Sequence, residues 1–267
     1  MLRKSPNFDL DAAERRRLDV DGLVVRQGVF SPAEVAAIAA DCEALIRDLE
    51  AAKRVTKHVV GSYMFEIQRE AATVVKWEPG APDVVQGVEP FAHISKPLEA
   101  WGLDPRLVDP CKAVVGEEEL ILFTEKLNVK RGHHGGPIVL HQDFPYWESL
   151  SPVASRVATA MVFLDDATTQ NGCLEVAPGT HKAGKWPQRT DADGFGSLEM
   201  DMAAFDLGRL QPLEVPAGTV AYFGTFLVHR SLPNRTAGDR RALLYSYQPQ
   251  GNPHSLELNR LFQRKSA

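Results

Sequence analysis

Pro137-Ile-Val-Leu-His-Gln-Asp-Phe144 is the stretch on which the reading of this chain turns. Apolar, β-branched residues follow a glycine-rich segment, 132–136, which predicts a short strand. Side chains alternate across a strand, so this geometry sets His141 and Asp143 on one face. An imidazole nitrogen beside a carboxylate oxygen is two-thirds of a metal site. A second imidazole would complete a two-histidine, one-carboxylate triad, the open-sided pattern of non-haem Fe(II) centres. His229 is the candidate, at the end of a second β-rich run, Thr219-Val-Ala-Tyr-Phe-Gly-Thr-Phe-Leu-Val228. Arg240 follows and opens a third run, Ala242-Leu-Leu-Tyr-Ser-Tyr-Gln248. A guanidinium fixed near such a metal could hold a dicarboxylate through paired hydrogen bonds. Taken singly, these residues also read as a core histidine, a surface acid, a loop histidine and a surface ion pair. Their order, separation and strand context give the combination its weight.

Outward from this stretch, β signals with Gly, Pro, Asn and Asp punctuation dominate from Leu120 onward. Upstream, Gly22-Leu-Val-Val-Arg-Gln27 predicts a strand, and a helix follows it. Ser31 is a good N-cap, Pro32 suits the first helical position, and Glu34 completes a capping box. Val35, Ile38, Cys42, Leu45 and Leu49 recur at helical spacing and form one apolar stripe. Residues 59–68 and 73–79 read as strands in a less regular region. Residues 89–115 read as helical, interrupted at Pro105 and Pro110. Asn171-Gly172 predicts a hairpin turn. The polar stretch 183–206 and the loop 132–136 are lid candidates. The expectation is a single domain over 1–267, with a helix-rich part at about 1–118 and a β core at about 119–250. Helices flanking a mainly β core suit a sandwich or jelly roll, and periodicity alone does not separate the two.

Composition narrows the class. With 267 residues, 44% hydrophobic and 24% charged, the chain can build a sizeable core. A net charge of −5 offers no basic footprint for nucleic acid. Cys42, Cys111 and Cys173 are widely spaced and odd in number, against a secreted disulfide framework. The first residues lack an apolar signal core, and no window reaches membrane-spanning length. Together these features predict a cytoplasmic protein with reduced thiols.

Several longer motifs extend the pattern: Asp21-Gly-Leu-Val-Val-Arg-Gln-Gly-Val-Phe-Ser-Pro-Ala-Glu-Val35, Leu140-His-Gln-Asp-Phe-Pro-Tyr-Trp147, Asp166-Ala-Thr-Thr-Gln-Asn-Gly-Cys-Leu-Glu-Val-Ala-Pro-Gly-Thr-His-Lys182 and Val228-His-Arg-Ser-Leu-Pro-Asn-Arg-Thr236. Over most of its length the chain resembles the phytanoyl-CoA dioxygenase family of Fe(II)/2-oxoglutarate-dependent oxygenases. Lys126-Leu-Asn-Val-Lys130 is similar to a strand of the ectoine hydroxylases within it. The resemblance implies a double-stranded β-helix, a jelly-roll, cupin-like fold. It implies Fe(II) held by His141, Asp143 and His229, with 2-oxoglutarate as cosubstrate and O2 as oxidant. The expected outcome is hydroxylation of a small molecule with release of succinate and CO2.

Arg240 matches the residue that binds the distal 2-oxoglutarate carboxylate; alternation should turn Arg241 to the opposite face. Ser231 matches a position that hydrogen-bonds the same carboxylate, and Asn128 a cosubstrate contact. Lys126 shares the face of Asn128 and could meet a carboxylate of cosubstrate or substrate, or extend to solvent. Phe144 and Trp147 are candidates to line the substrate pocket, with packing as the plain alternative. His181 reads as structural. Arg69, Lys76 and Trp77 could meet an anionic substrate, against a default of solvated charges and a packed ring. Related halogenases replace the carboxylate with a small residue; Asp143 therefore points to hydroxylation. A non-catalytic sensor on the same barrel, or a cupin-type dioxygenase without cosubstrate, are the alternatives. The family spans acyl-CoA thioesters, amino-acid-like solutes and phosphonates, so the resemblance leaves the substrate open.

Overall fold

Side chains along the C-terminal strands alternate between two faces that are both buried, and that period of two builds two cores on opposite faces of one sheet. The computed structural model describes residues 7–52, 56–60, 63–190 and 198–258. Its helices are α1 (Ala12–Asp21), α2 (Pro32–Ala51), α3 (Lys96–Gly102), α4 (Pro105–Val115), α5 (Phe144–Trp147) and α6 (Ser255–Leu258). The strands are β1 (Leu23–Arg26), β2 (Lys57–Val60), β3 (Tyr63–Gln68), β4 (Thr73–Glu78), β5 (Ala81–Glu89), β6 (Leu120–Lys130), β7 (Ile138–His141), β8 (Ala158–Phe163), β9 (Leu174–Ala177), β10 (Gln211–Leu213), β11 (Val220–Gly224), β12 (Val228–Ser231) and β13 (Arg240–Pro249). They form a nine-stranded sheet, β1-β11-β8-β13-β6-β5-β4-β3-β2, and a four-stranded sheet, β10-β9-β12-β7. This is the mainly β, jelly-roll architecture expected.

On β8, Ala158, Ala160 and Val162 join the outer core, whereas Met161 and Phe163 join the inner one. On β11, Val220 and Tyr222 face outward, and Ala221 and Phe223 inward. The outer face is covered by the apolar stripe of α2, with Val35, Ile38, Cys42, Leu45 and Leu49 buried, and by Leu107 and Cys111 of α4. The α2 N-terminus carries the Ser31–Glu34 capping box. The inner core lies between the sheets, where Phe163, Phe223 and Ala242 meet Leu174 and Val176 of β9.

The segment before residue 119 is not confined to a helical layer: it supplies β1 to β5, five of the nine strands of the large sheet. The expected interruption at Pro105 is present, since α3 ends at Gly102 and Pro105 opens α4, but α4 runs through Pro110 instead of breaking. A proline at 110 cannot donate to the Arg106 carbonyl one turn back. The Tyr222 hydroxyl donates to that carbonyl at 2.7 Å and satisfies it. The Asn171-Gly172 turn exists but joins β8 to β9, which lie in different sheets, so it is a crossover and not a hairpin. The first six residues, and 191–197 of the stretch considered as a lid, lie outside the described residues.

Candidate active site

β7 and β12 pair antiparallel with His141 directly opposite His229, and their ring centroids are 4.2 Å apart. Each ring is aimed by its own backbone. His141 Nδ1 lies 2.8 Å from the Val139 carbonyl, and His229 Nδ1 lies 2.9 Å from the Leu227 carbonyl. A carbonyl only accepts, so Nδ1 carries the proton in both rings and Nε2 presents a lone pair. Burial is the largest influence on His141, followed by the neighbouring His229; both push its pKa well below the ordinary value. A neutral imidazole is the form that ligates a metal.

Asp143 reaches the histidines by a route other than strand alternation. β7 ends at His141, and Asp143 has helical backbone angles (φ −72°, ψ −28°) just ahead of α5. Gln142 pins this exit: its amide donates to the Gly184 and Phe226 carbonyls, and its oxygen accepts from Trp186 N. The Asp143 carboxylate stands 3.7 Å from His141 Nε2. One ligand atom from each of His141, Asp143 and His229 lies within 4.8 Å of the others, and all three residues are buried. Three convergent donors, two neutral and one anionic, fit a divalent first-row metal with open positions.

A second feature lies on the interior face of the large sheet. Arg240 is 1% exposed. Nη2 donates to the Gly172 carbonyl at 2.8 Å, while Nε and Nη1 are buried with no partner. Gly172 has φ +76°, and a Cβ there would meet the Leu232 carbonyl at 2.1 Å, so only glycine brings this carbonyl to the guanidinium. The Ser231 hydroxyl is also buried and unpartnered. Unsatisfied buried donors are costly, so these three atoms mark a place built for an acceptor. Arg241 points the other way, into Asp165 at 2.8 Å and Glu43 at 3.1 Å.

β13 pairs with β6 so that Arg240 faces Lys130, Ala242 faces Asn128 and Leu244 faces Lys126. Asn128 therefore sits in one row between Lys130, opposite Arg240, and Lys126. Lys126 stands four residues, about 13 Å, along the strand from Lys130. It lies at the end of the row away from Arg240, where its ammonium meets Glu89 at 3.3 Å. Lys130 was missed by sequence reasoning, although it continues the alternation of Lys126 and Asn128. It is 2% exposed, and its ammonium donates to the Gly136 carbonyl. Burial, then the neighbouring Arg240, pushes its pKa down to about 7.

The aromatic candidates divide differently from expectation. Trp147 is buried edge-on against Phe123 in a small core with Ala154 and Val157, where its contacts are packing. Phe144 is half-buried and stacks near Phe226, with centroids 4.6 Å apart. The ring that meets the triad is Tyr146, edge-on to His141 at 5.7 Å. The helical turn of α5 brings residue 146 round, where a strand would have offered 145 and 147. Trp77 packs in the outer core, whereas Lys76, its neighbour, bonds Glu89 at 3.2 Å on the inner face. His181 sits against the Gly22 turn, in keeping with a structural role.

Comparison with known proteins agrees with this geometry. Residues 18–242 match the family model described as phytanoyl-CoA dioxygenase. The chain is 29% identical over 204 residues to L-proline trans-4-hydroxylase of Streptomyces griseoviridis, covering 68% of this chain and 73% of that protein. It is 25% identical over 256 residues to an ectoine dioxygenase of Bordetella bronchiseptica, covering 91% and 77%. Among solved structures, EctD from S. alaskensis with 2-oxoglutarate and 5-hydroxyectoine superposes with a TM-score of 0.70 at 22% identity, over 92% of this chain and 79% of that one. The 2-oxoglutarate-dependent carbocyclase SnoK gives 0.69 at 19% identity, over 96% and 91%. The match takes in the triad and Arg240, and the chain belongs to the phytanoyl-CoA dioxygenase family.

Proposed function

We infer that the protein is an Fe(II)- and 2-oxoglutarate-dependent dioxygenase that hydroxylates a small molecule, with His141, Asp143 and His229 as the metal ligands. One observation carries the reading beyond a bare metal site: Arg240 holds two buried, unpartnered donors on the interior face, beside the unpartnered Ser231 hydroxyl. A site needing metal alone has no use for them. A cosubstrate with a distal carboxylate offers the Arg240 guanidinium and the Ser231 hydroxyl an acceptor that they lack.

When bound, the iron supplies O2 activation coupled to decarboxylation of 2-oxoglutarate to succinate and CO2. The chain's own residues do the rest. The Val139 and Leu227 carbonyls hold both imidazoles in the Nδ1–H tautomer, keeping Nε2 available. Arg240 and Ser231 orient the cosubstrate from its far end, and Lys130 adds positive charge beside them. Asn128 lies between the two ends of the row. Phe144 and Tyr146 border the metal side, where a substrate would enter. Among the described residues no helix is long and apolar enough to cross a membrane. Three free, buried cysteines suit the reducing cytoplasm, where we place the protein.

The test is 2-oxoglutarate-dependent succinate formation by purified protein with Fe(II) and O2. Anaerobic titration of 2-oxoglutarate into the Fe(II) protein should give the visible charge-transfer band of a chelated 2-keto acid. O2-dependent turnover without 2-oxoglutarate would favour the cosubstrate-free alternative. A band without turnover of any substrate would favour a sensor.

A further inference from the structure

Beyond the triad and Arg240, the interior carries a second charged group that neither uses. Lys76 of β4, Glu89 of β5 and Lys126 of β6 sit on adjacent strands and face the same way. Glu89 Oε2 is 3.2 Å from Lys76 Nζ and 3.3 Å from Lys126 Nζ. Both ammoniums are near enough to Asp143 to feel its charge. The three side chains are inside the fold yet remain 28%, 22% and 24% exposed, so they line a space that admits solvent. Tyr63 and Tyr146, whose hydroxyls lie together, border the same region.

Two lysines on one carboxylate leave one positive charge uncompensated. The rest of the interior does not cancel it. Fe(II), Asp143 and a dianionic 2-oxoglutarate together carry one negative charge, which Arg240 offsets. Lys130 faces Glu78. Glu199, the other acid near the two tyrosines, is bonded to Arg189 at 3.0 Å. Among the described residues the Lys76–Glu89–Lys126 group is therefore the cationic part of the site on the metal side. An uncompensated charge in a confined, partly screened space favours a counter-charge.

We propose that Lys76 and Lys126, held apart by Glu89, form the clamp for an anionic group of the substrate, a carboxylate or phosphonate, and that Lys76 is the specificity-determining residue. This rests on the oxygenase reading of the same site. Glu89 fixes both ammoniums in advance, so little side-chain entropy is lost on binding. Lys76 is the more separable half of the clamp, because removing it leaves a neutral Glu89–Lys126 pair.

The experiment is direct binding, read by thermal shift and tryptophan fluorescence, on protein loaded anaerobically with Fe(II) and 2-oxoglutarate. The probes are a panel of small carboxylates and phosphonates, each beside its uncharged amide or dialkyl ester. Acids should bind and their neutral partners should not; the carboxylate and phosphonate arms distinguish the two sources of charge. Lys76→Met should weaken the acids by about thirtyfold or more and erase the preference over amides. Lys76→Arg should recover most of it, and Glu89→Gln should tighten the acids. The last two variants keep the test alive if Lys76→Met does not fold. Amides binding as well as acids, no acid binding, or a Lys76→Met profile like wild type would overturn the proposal. The 2-oxoglutarate charge-transfer band of the wild-type protein is scored separately. Its absence would sink the oxygenase reading, while Lys76-dependent anion binding could still stand.

Discussion

Arg240 and Arg241 are neighbours on one strand, and the two sides of the large sheet treat them in opposite ways. On the outer side Arg241 and Arg131 are closed off by Glu43, Asp165 and Asp239 at hydrogen-bond distance. On the inner side Arg240 keeps two donors open, Ser231 keeps its hydroxyl open, and two imidazoles present bare Nε2 atoms. The outer charges finish their bonding when the chain folds. The inner ones finish it only when something binds. Polar groups left unsatisfied in the interior cost stability and are therefore a better mark of function than charge itself. Variants on the inner face should damage chemistry, and variants on the outer face should damage the fold.

The largest expected effect is at Asp143. Asp143→Ala should abolish productive iron binding and turnover while leaving the fold intact, because it removes the anionic leg of the triad and empties a costly buried position. Metal analysis and O2 uptake measure it, and undiminished iron-dependent turnover would remove Asp143 from the ligand set.

Next comes the contrast between the arginines. Arg240→Ala should raise the apparent 2-oxoglutarate requirement at least about thirtyfold, from a truncation cost on the order of 2–5 kcal/mol. Arg240→Lys should recover part, since an ammonium keeps the charge but loses the planar fork. Arg241→Ala should change that requirement little and lower stability by roughly 1–2 kcal/mol, for it strips Asp165 of a bidentate partner. Succinate titrations and chemical unfolding of all three separate the outcomes. A crippled cosubstrate response in Arg241→Ala alone would reverse the assignment of faces.

Much of this contrast was legible in the sequence, though in places for the wrong physical reason. The triad follows from residue type and spacing, but Asp143 reaches it through a helical turn and not along the strand. The same turn explains why Tyr146 meets His141 while Trp147 packs: helical and strand phases differ by a single residue there. The inner polar row was harder. On β4, Val75 and Trp77 are apolar while Lys76 and Glu78 are charged, which by default turns the charges to solvent. Here the helices cover the apolar face and the charged face looks into the barrel. Alternation reveals that a strand has two faces; it does not reveal which is inside when the interior is itself polar. Lys130 was hidden for that reason.

Lys130 gives the smallest and most discriminating effect. Its pKa falls from 10.5 to about 7 through burial and the adjacent Arg240, with Glu78 opposing. Below about pH 7 both folded and unfolded chains carry the charge, so the cost of burying the ammonium is felt in full. Between that value and 10.5 the folded protein holds fewer protons than the unfolded chain, so ligand-free stability should rise with pH across this window. Lys130→Met should flatten that rise in melting temperature. Binding reverses the sign locally: a carboxylate delivered to Arg240 favours charged Lys130, so 2-oxoglutarate should bind with proton uptake near pH 8. Calorimetry in two buffers of different ionisation enthalpy measures that fraction of a proton. Uptake that persists undiminished in Lys130→Met would show that another group takes the proton.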